Sequence, residues 1–389
     1  MTNNTSFINH SFFYFFYFST LGAFLPYWPL YLKSIDFSAY EIGFISAIMI
    51  GTKIIAPNIW GWLADFSGKR HTVIQIGSLF CFLIFFFVFF IEKFFAMAIT
   101  FFLFSFFWNA SLPQYEAVTM NSLGKNYNKY SNIRLWGSLG FIFTVLSLSY
   151  LTKLFSIEIV PYSIFILLII TWIITLNINK SLSTANIFRS SDMNIWKVIS
   201  IPAVMGLLVS CFLMQISHAP FYTFFAIFLQ ENGYTVFQVG ALWSLGVVAE
   251  VIVFLKVSKW IPLFGVKKLF VICFIFASIR WLLVSSYSEN IYLVSLSQIF
   301  HSFTYGMYHA TAIYLIHEYF SGKLQGRGQA IYSSLSFGLG GSVGSYISGL
   351  FWDNVGGSTI FLFASFFAFL GFIVALIFVK SPHVEYLDK

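Results

Sequence analysis

The chain has 389 residues, of which 59% are hydrophobic and only 9% are charged, and its formal net charge is +7. A soluble domain carries about 25% charged residues, so this composition excludes a cytosolic enzyme, a secreted domain and a disordered scaffold. Continuous apolar runs such as residues 74–91 argue against a membrane-spanning β-barrel and favour a polytopic α-helical protein of the lipid bilayer. In such a protein the positive charge reflects the cytoplasmic bias of Lys and Arg, so no nucleic-acid partner is expected.

A membrane-spanning helix needs about 20 mostly apolar residues. Cutting the chain at its polar clusters predicts twelve such helices, over residues 10–33, 40–62, 72–91, 94–122, 134–153, 159–178, 201–230, 237–259, 269–287, 291–319, 328–351 and 358–379. The longest polar interruption follows the sixth helix and predicts a cytoplasmic linker. The sequence thus predicts an all-α membrane fold with an N-terminal six-helix half (1–178), a linker (179–197) and a C-terminal six-helix half (198–389).

The distribution of Lys and Arg tests this arrangement, because these residues concentrate in cytoplasmic loops. With both termini in the cytoplasm, most of the 21 Lys and Arg residues fall on the cytoplasmic side. Lys33, Lys93 and Lys153 fall on the outer side, while Lys53 and Arg280 lie inside helices. We therefore predict a multi-pass protein of a bacterial-type inner membrane with both termini in the cytoplasm.

An internal repeat relates the two predicted halves. Residues of the first two helices and the following loop recur 197 positions later, pairing Leu32 with Leu229, Phe37 with Tyr234, Ile42 with Val239, Gly43 with Gly240, Gly68 with Gly265 and Arg70 with Lys267. Parallel halves related along the membrane normal are typical of secondary transporters.

The loop after the second helix carries a compact motif that runs from Gly61 to Arg70 and includes Asp65, Gly68 and Lys69. Its glycines permit a tight turn, and Asp65 can cap a helix or pair with a neighbouring cation. The motif resembles the cytoplasmic signature of the major facilitator superfamily. This resemblance implies the major facilitator fold, transport by alternating access and a cytoplasmic gate at these residues.

Further local motifs occur through nearly the whole chain, and the most specific of them lies at residues 242–250. The others are Arg134 to Ser138, His218 with Ala219, Arg280 with Trp281, and Gln298, His301 and His309. Together they resemble the 3-phenylpropionate permease family of proton symporters. The resemblance implies proton-coupled uptake of a small aromatic carboxylate or a similar solute.

The first half is also similar to lactose permease. Glu116 and Arg134 match the carboxylate and the arginine that hold sugar in that family, whereas Phe141 stands where it has a stacking Trp. His301 matches its histidine in the tenth helix, but Thr304 replaces the carboxylate one turn later. Glu116 and Arg134 are expected to pair across the fourth and fifth helices. The resemblance implies substrate binding by Glu116, Arg134 and Phe141, with an incomplete lactose-type coupling set.

Charged residues inside membrane helices usually face a cavity and carry function. Glu250 lies near the middle of the eighth helix among apolar neighbours, where burial disfavours the charged form of a carboxyl group. A pairing with Arg280 that changes between conformations would load and release a proton, whereas a static bridge would be structural. His301 and His309 share one helical face and are candidates to relay protons or to contact substrate.

His218 precedes Pro220, where the seventh helix is expected to bend, and Tyr222 follows one turn later. Bent helices often line the central site of a transporter, so His218 and Tyr222 are candidate substrate-binding residues. Lys53 aligns with Glu250 in the repeat. Its role is open between balancing a buried carboxylate, contacting an anionic substrate and snorkelling to the membrane surface.

The sequence contains no nucleotide-binding loop, zinc-ligand pair or nucleophile elbow, which favours a transporter without cofactor or bound metal over an enzyme. We predict a secondary transporter that takes up a small organic solute by proton-coupled symport and acts as a monomer. The alternatives are a sugar or nucleoside proton symporter, a proton-driven efflux transporter and a transporter-like membrane sensor.

Overall fold

The computed structural model describes residues 2–124, 129–178 and 195–380, and every regular element among them is helical. The helices up to residue 178 are α1 (Thr2–Ser34), α2 (Ala39–Gly51), α3 (Ala56–Ser67), α4 (Arg70–Phe86), α5 (Phe94–Leu123), α6 (Tyr130–Phe155) and α7 (Ile159–Thr175). Those from residue 195 are α8 (Ile195–Ile199), α9 (Pro202–Glu231), α10 (Val236–Phe264), α11 (Val266–Ser286), α12 (Ile291–His301), α13 (Tyr308–Tyr319), α14 (Gln325–Tyr332) and α15 (Gly341–Phe378). Most of the predicted linker, residues 179–194, lies outside the described residues.

Each of the twelve predicted segments coincides with helical structure. The second is divided into α2 and α3 by a 3₁₀ turn at Thr52–Ile54, and the tenth and eleventh contain π-helical turns at Ser302–Met307 and Ser333–Gly340. Part of the eleventh and all but the last residue of the twelfth lie in α15, where Gly356 breaks the helix with a φ of 80°. Within the described ranges, eight helical stretches are long and apolar enough to cross a membrane, and the stretch over residues 325–378 contains two of the predicted segments.

The chain divides into two compact units. Unit 1 comprises Met1–Phe188 and Tyr222–Ser244, and unit 2 comprises Arg189–Phe221 and Leu245–Lys389. The boundaries fall inside α9 and α10, so the end of α9 and the start of α10 belong to unit 1.

In unit 1, α1 contacts α5 through aromatic rings and α6 through glycine. Phe13 stacks on Tyr115 of α5 with ring centroids 3.4 Å apart. Gly140 of α6 lies directly against the backbone carbonyl of Phe15, and a Cβ atom there would overlap this carbonyl. Small residues allow membrane helices to approach this closely, so the sequence of α6 permits its tight packing on α1.

Candidate functional site

Glu116 of α5 is half-buried in unit 1 and has a tyrosine partner. The hydroxyl of Tyr130 donates a hydrogen bond to Glu116 Oε1 at 3.3 Å. The Tyr130 ring in turn packs edge-to-face on Tyr14, with 6.3 Å between the ring centroids. The sequence suggested Arg134 as the partner of Glu116, but no ion pair joins these two residues in the described part of the chain. Nothing in the sequence marks Tyr130 among the chain's 21 tyrosines.

Arg134 of α6 stacks on an aromatic ring of α1. Its guanidinium carbon lies 3.9 Å from the centroid of Phe18 and 5.9 Å from that of Tyr14. Gly137 leaves the space for this arrangement, because a Cβ atom there would lie 2.7 Å from both Arg134 Nη1 and the Phe18 ring. A guanidinium stacked in this way keeps its N–H donors in its own plane, which suits bidentate binding of a carboxylate.

Phe141 and Tyr222, the two aromatic residues predicted to bind substrate, share a neighbour in unit 1. The ring centroid of Trp243 lies 6.3 Å from that of Phe141 and 6.3 Å from that of Tyr222. Phe141 and Trp243 are both buried. The structure therefore brings the two predicted residues together through a tryptophan whose role the sequence did not indicate.

Arg280 of α11 is completely buried in unit 2. Its Nη1 atom lies 2.9 Å from His301 Nδ1 and 3.0 Å from Thr304 Oγ1, and Nη2 donates to Gln298 Oε1 at 3.4 Å. Its guanidinium carbon also lies 4.4 Å from the centroid of the Phe221 ring. Hydrogen bonds and a cation–π contact thus compensate for removing this charge from water.

His301 contacts both Arg280 and Glu250. Because a guanidinium has no acceptor, His301 Nδ1 must accept the hydrogen bond from Arg280 Nη1, and the neutral imidazole carries its proton on Nε2. That Nε2 atom lies 3.6 Å from Glu250 Oε2. The sequence suggested a direct pairing of Glu250 with Arg280, whereas in the structure an imidazole contacts both groups.

His218 of α9 belongs to the same cluster. Its Nδ1 atom lies 2.9 Å from the carbonyl oxygen of Met214, which can only accept, so Nδ1 is the donor. Its Nε2 atom is then an acceptor, 3.1 Å from Thr304 Oγ1. A residue predicted from the sequence to bind substrate therefore lies among the residues predicted to couple transport to protons.

His309 lies on the same face as His301, as predicted. The ring of Tyr305 stacks between them, 5.4 Å from His301 and 6.2 Å from His309, with interplanar angles of 10° and 11°. His309 Nδ1 is 3.1 Å from the hydroxyl of Tyr332. The π-helical turn Ser302–Met307 lies between the two histidines, and no pattern in the sequence indicated it.

The predicted gate motif forms the turn between α3, which contains Gly61, and α4. Gly68 ends α3 with a φ of 65°, a left-handed conformation that glycine adopts without steric cost. Lys69 follows, and Arg70 Nη2 donates to Asp65 Oδ1 at 2.6 Å. The motif is therefore closed by an ion pair across its own turn, as the position of Asp65 suggested.

Residues 7–363 match the family model described as the MFS_1 like family. The chain belongs to this family. This MFS protein is 26% identical over 365 residues to the "Probable 3-phenylpropionic acid transporter" of Escherichia coli (strain K12), covering 90% of the chain and 92% of that relative. It is 22% identical to the "Maltose permease" of Geobacillus stearothermophilus, covering 97% and 95% of the two chains.

The fold of this MFS protein is similar to that of a solved transporter. The crystal structure of the nucleoside transporter NupG matches it with a TM-score of 0.83 at 16% identity, covering 97% of this chain and 100% of that chain. A mutant of NupG matches with a TM-score of 0.87. The predicted superfamily and the major facilitator fold are thus confirmed, and the chain is a multi-pass membrane transporter rather than an enzyme.

Proposed function

We propose that this MFS transporter takes up a small aromatic carboxylate together with protons by alternating access. It acts as a monomer in a bacterial-type inner membrane, with both termini in the cytoplasm. The observation that carries the proposal is the buried contact series Arg280–His301–Glu250 in unit 2, which holds a fixed cation and a carboxyl group on either side of one imidazole.

Glu250 is the proposed proton carrier. While it is ionised, its negative charge attracts the Nε2–H group of His301 across 3.6 Å. Protonation of Glu250 removes this charge and weakens its contact with His301. A proton on Glu250 thereby changes the contacts between α10 and α12, which is what coupling of protonation to a conformational change requires. Arg280 holds the His301 ring in position through its hydrogen bond to Nδ1, and His301 in turn contacts Glu250. His309 extends the series of stacked rings that begins with His301 and Tyr305.

The proposed substrate class rests on Arg134 and on the named relative. The stacked guanidinium of Arg134 suits a carboxylate, and the aromatic residues Phe141, Tyr222 and Trp243 of the same unit suit an aromatic ring. The relative in Escherichia coli is named as a probable 3-phenylpropionic acid transporter. His218 was also predicted to bind substrate. Its influence on substrate binding would pass through its contact with Thr304.

A sugar or nucleoside is the second candidate substrate. Glu116, with its tyrosine partner, offers acceptors for hydroxyl groups, and one relative is named a maltose permease.

The test is uptake into vesicles that contain the purified transporter, with labelled 3-phenylpropionate, maltose and uridine supplied separately. Accumulation of 3-phenylpropionate driven by an inward proton gradient is the expected result. Accumulation of maltose or uridine alone would favour the second candidate, and substrate extrusion driven by the same gradient would indicate efflux. Uptake that ignores the gradient would contradict proton coupling.

A further inference from the structure

Lys53 lies at the midpoint of the membrane-spanning stretch Ala39–Ser67. The hydrocarbon core of a bilayer is about 30 Å thick, so the midpoint is about 15 Å from either surface. A lysine stem extends only about 6 Å, given standard bond lengths. Lys53 therefore cannot reach the membrane surface by snorkelling, and its charge must be satisfied at this depth.

The side chain of Lys53 is exposed, and its position on the helix differs from that of the apolar exposed residues. Ile55, Ile59, Trp62 and Phe66 are all exposed, and their spacing of four, three and four residues places them on one face. Such an apolar face suits contact with lipid. Lys53 precedes Ile55 by two residues and lies in the 3₁₀ turn, where about 120° per residue turns it about 240° around the helix axis, so it lies away from this apolar face.

The face that carries Lys53 is directed toward the protein interior. Ala56 and Trp60, three and seven residues later, share this face and are buried. The indole N–H of Trp60 donates to the carbonyl oxygen of Phe106 in α5. Charged residues at membrane depth usually face a water-filled cavity or the interior of the helix bundle, and an exposed lysine on this face agrees with that arrangement.

The turn that presents Lys53 is anchored by its neighbour Thr52. Asn109 Nδ2 of α5 donates to Thr52 Oγ1 at 2.9 Å and to the carbonyl oxygen of Ser105 at 2.9 Å. Thr52 is itself buried. The 3₁₀ turn is thus fixed to α5, and the base of the lysine side chain has a defined position.

Within residues 2–124, 129–178 and 195–380, no carboxylate forms an ion pair with Lys53 at the 4.0 Å limit. Other intramembrane charged groups have polar partners, as Arg280 has His301 and Glu116 has Tyr130. Ionisable residues at this depth normally pair with one another or with backbone carbonyls. An exposed lysine at this depth without such a counterion is suited to an anion that arrives from solution.

We propose that Lys53 binds the carboxylate of the transported substrate. The inference rests on the proposed uptake of an aromatic carboxylate and adds Lys53 to Arg134 as a second cation for the charged group of that substrate. The ammonium group of Lys53 acts as a compact point charge with three donors. The substrate thereby supplies the counterion that the described part of the chain does not provide.

The experiment measures equilibrium binding to purified transporter in lipid nanodiscs, without any proton gradient. The probes are 3-phenylpropionate and 3-phenylpropan-1-ol, which has a similar shape but no charge. Lys53→Met is compared with Lys53→Arg and with Lys153→Met, a matched control at an exposed position near the end of α6. Lys53→Gln replaces the methionine variant if that protein fails to fold, as judged by its melting curve.

We expect Lys53→Met to weaken 3-phenylpropionate binding by at least about tenfold, the range for loss of one charge-assisted contact. Lys53→Arg retains affinity within about threefold, because the positive charge remains. Lys153→Met does the same, because the site is unchanged. The alcohol binds all of these proteins alike. Unchanged acid binding by Lys53→Met would overturn the proposal, and so would an equal loss of acid and alcohol binding, since that indicates a change of shape.

This test separates the inference from the proposed function. Binding is measured at equilibrium, so a transporter that binds the acid through Lys53 but ignores a proton gradient in vesicles contradicts only the proton coupling. A parent protein that binds maltose or uridine and not 3-phenylpropionate overturns both the carboxylate substrate and the role of Lys53.

Discussion

Thr304 Oγ1 accepts a hydrogen bond from Arg280 Nη1 at 3.0 Å. Thr304 stands where the resemblance to lactose permease would place a carboxylate, one turn after His301. In this chain the carboxylate of the cluster comes instead from Glu250 of α10, which reaches His301 from a different helix. Protonation of Glu250 therefore acts on a contact between two helices rather than within one.

Glu250→Gln is expected to abolish accumulation of substrate against its gradient. The amide keeps the shape of the side chain but can neither gain nor lose a proton, so exchange of substrate across the membrane persists at about the parental rate. Both activities are measured in vesicles with labelled 3-phenylpropionate. Glu92→Gln, at an exposed position between α4 and α5, is the matched control and retains accumulation. Gradient-driven accumulation at the parental level by Glu250→Gln would exclude Glu250 as the proton carrier.

His301→Ala is expected to lower the stability of the protein by about 1–3 kcal/mol, the usual result of leaving a buried polar group without one of its partners. Arg280 loses the acceptor Nδ1, and Glu250 loses its contact with Nε2. The melting temperature in detergent measures this effect. His309→Ala is the comparison, and its effect is smaller because His309 is less buried than His301. Equal melting temperatures for the two variants would argue against a structural role for the Arg280–His301 contact.

Arg134→Lys is expected to raise the KM for a carboxylate substrate about tenfold or more, because an ammonium group lacks the planar fork of a guanidinium. The substitution also removes the stacking on Phe18. Initial rates of uptake over a range of concentrations measure the KM. Arg327→Lys, at an exposed position in α14, keeps parental kinetics. If Arg134→Lys kept the parental KM, Arg134 would act only as a determinant of membrane topology.

Gly140→Ala is expected to destabilise the protein by about 1–3 kcal/mol, as overpacking usually does. The added methyl group meets the backbone carbonyl of Phe15, which can move only if α1 and α6 separate. Gly326→Ala in α14 is the control, because a Cβ atom there has no neighbour within 4 Å among the described residues. Its expected effect is neutral to stabilising, since alanine favours helix by about 1 kcal/mol over glycine. Similar melting temperatures for the two variants would contradict the close packing of α1 and α6.

The sequence alone predicted the fold class and the positions of the twelve long helical segments. Apolar runs of about 20 residues and the placement of Lys and Arg are local properties. They determine directly which segments insert into the membrane and in which orientation. For the same reason the sequence identified Glu250, Arg280 and Lys53 as exceptional, since charge inside an apolar run is conspicuous. The turn at Gly68 and the pairing of Asp65 with Arg70 were also accessible, because these residues are close together in the chain.

The tertiary structure alone decided which of these groups meet. His301 lies against both Arg280 and Glu250, Tyr130 donates to Glu116, and Arg134 rests on Phe18, and each contact joins residues whose separation in the chain carries no periodic signal. The aromatic partners were hidden because Phe and Tyr are abundant throughout the chain. Helix positions follow from local apolarity, whereas these pairings depend on how the helices pack and rotate against one another, which a single sequence does not specify.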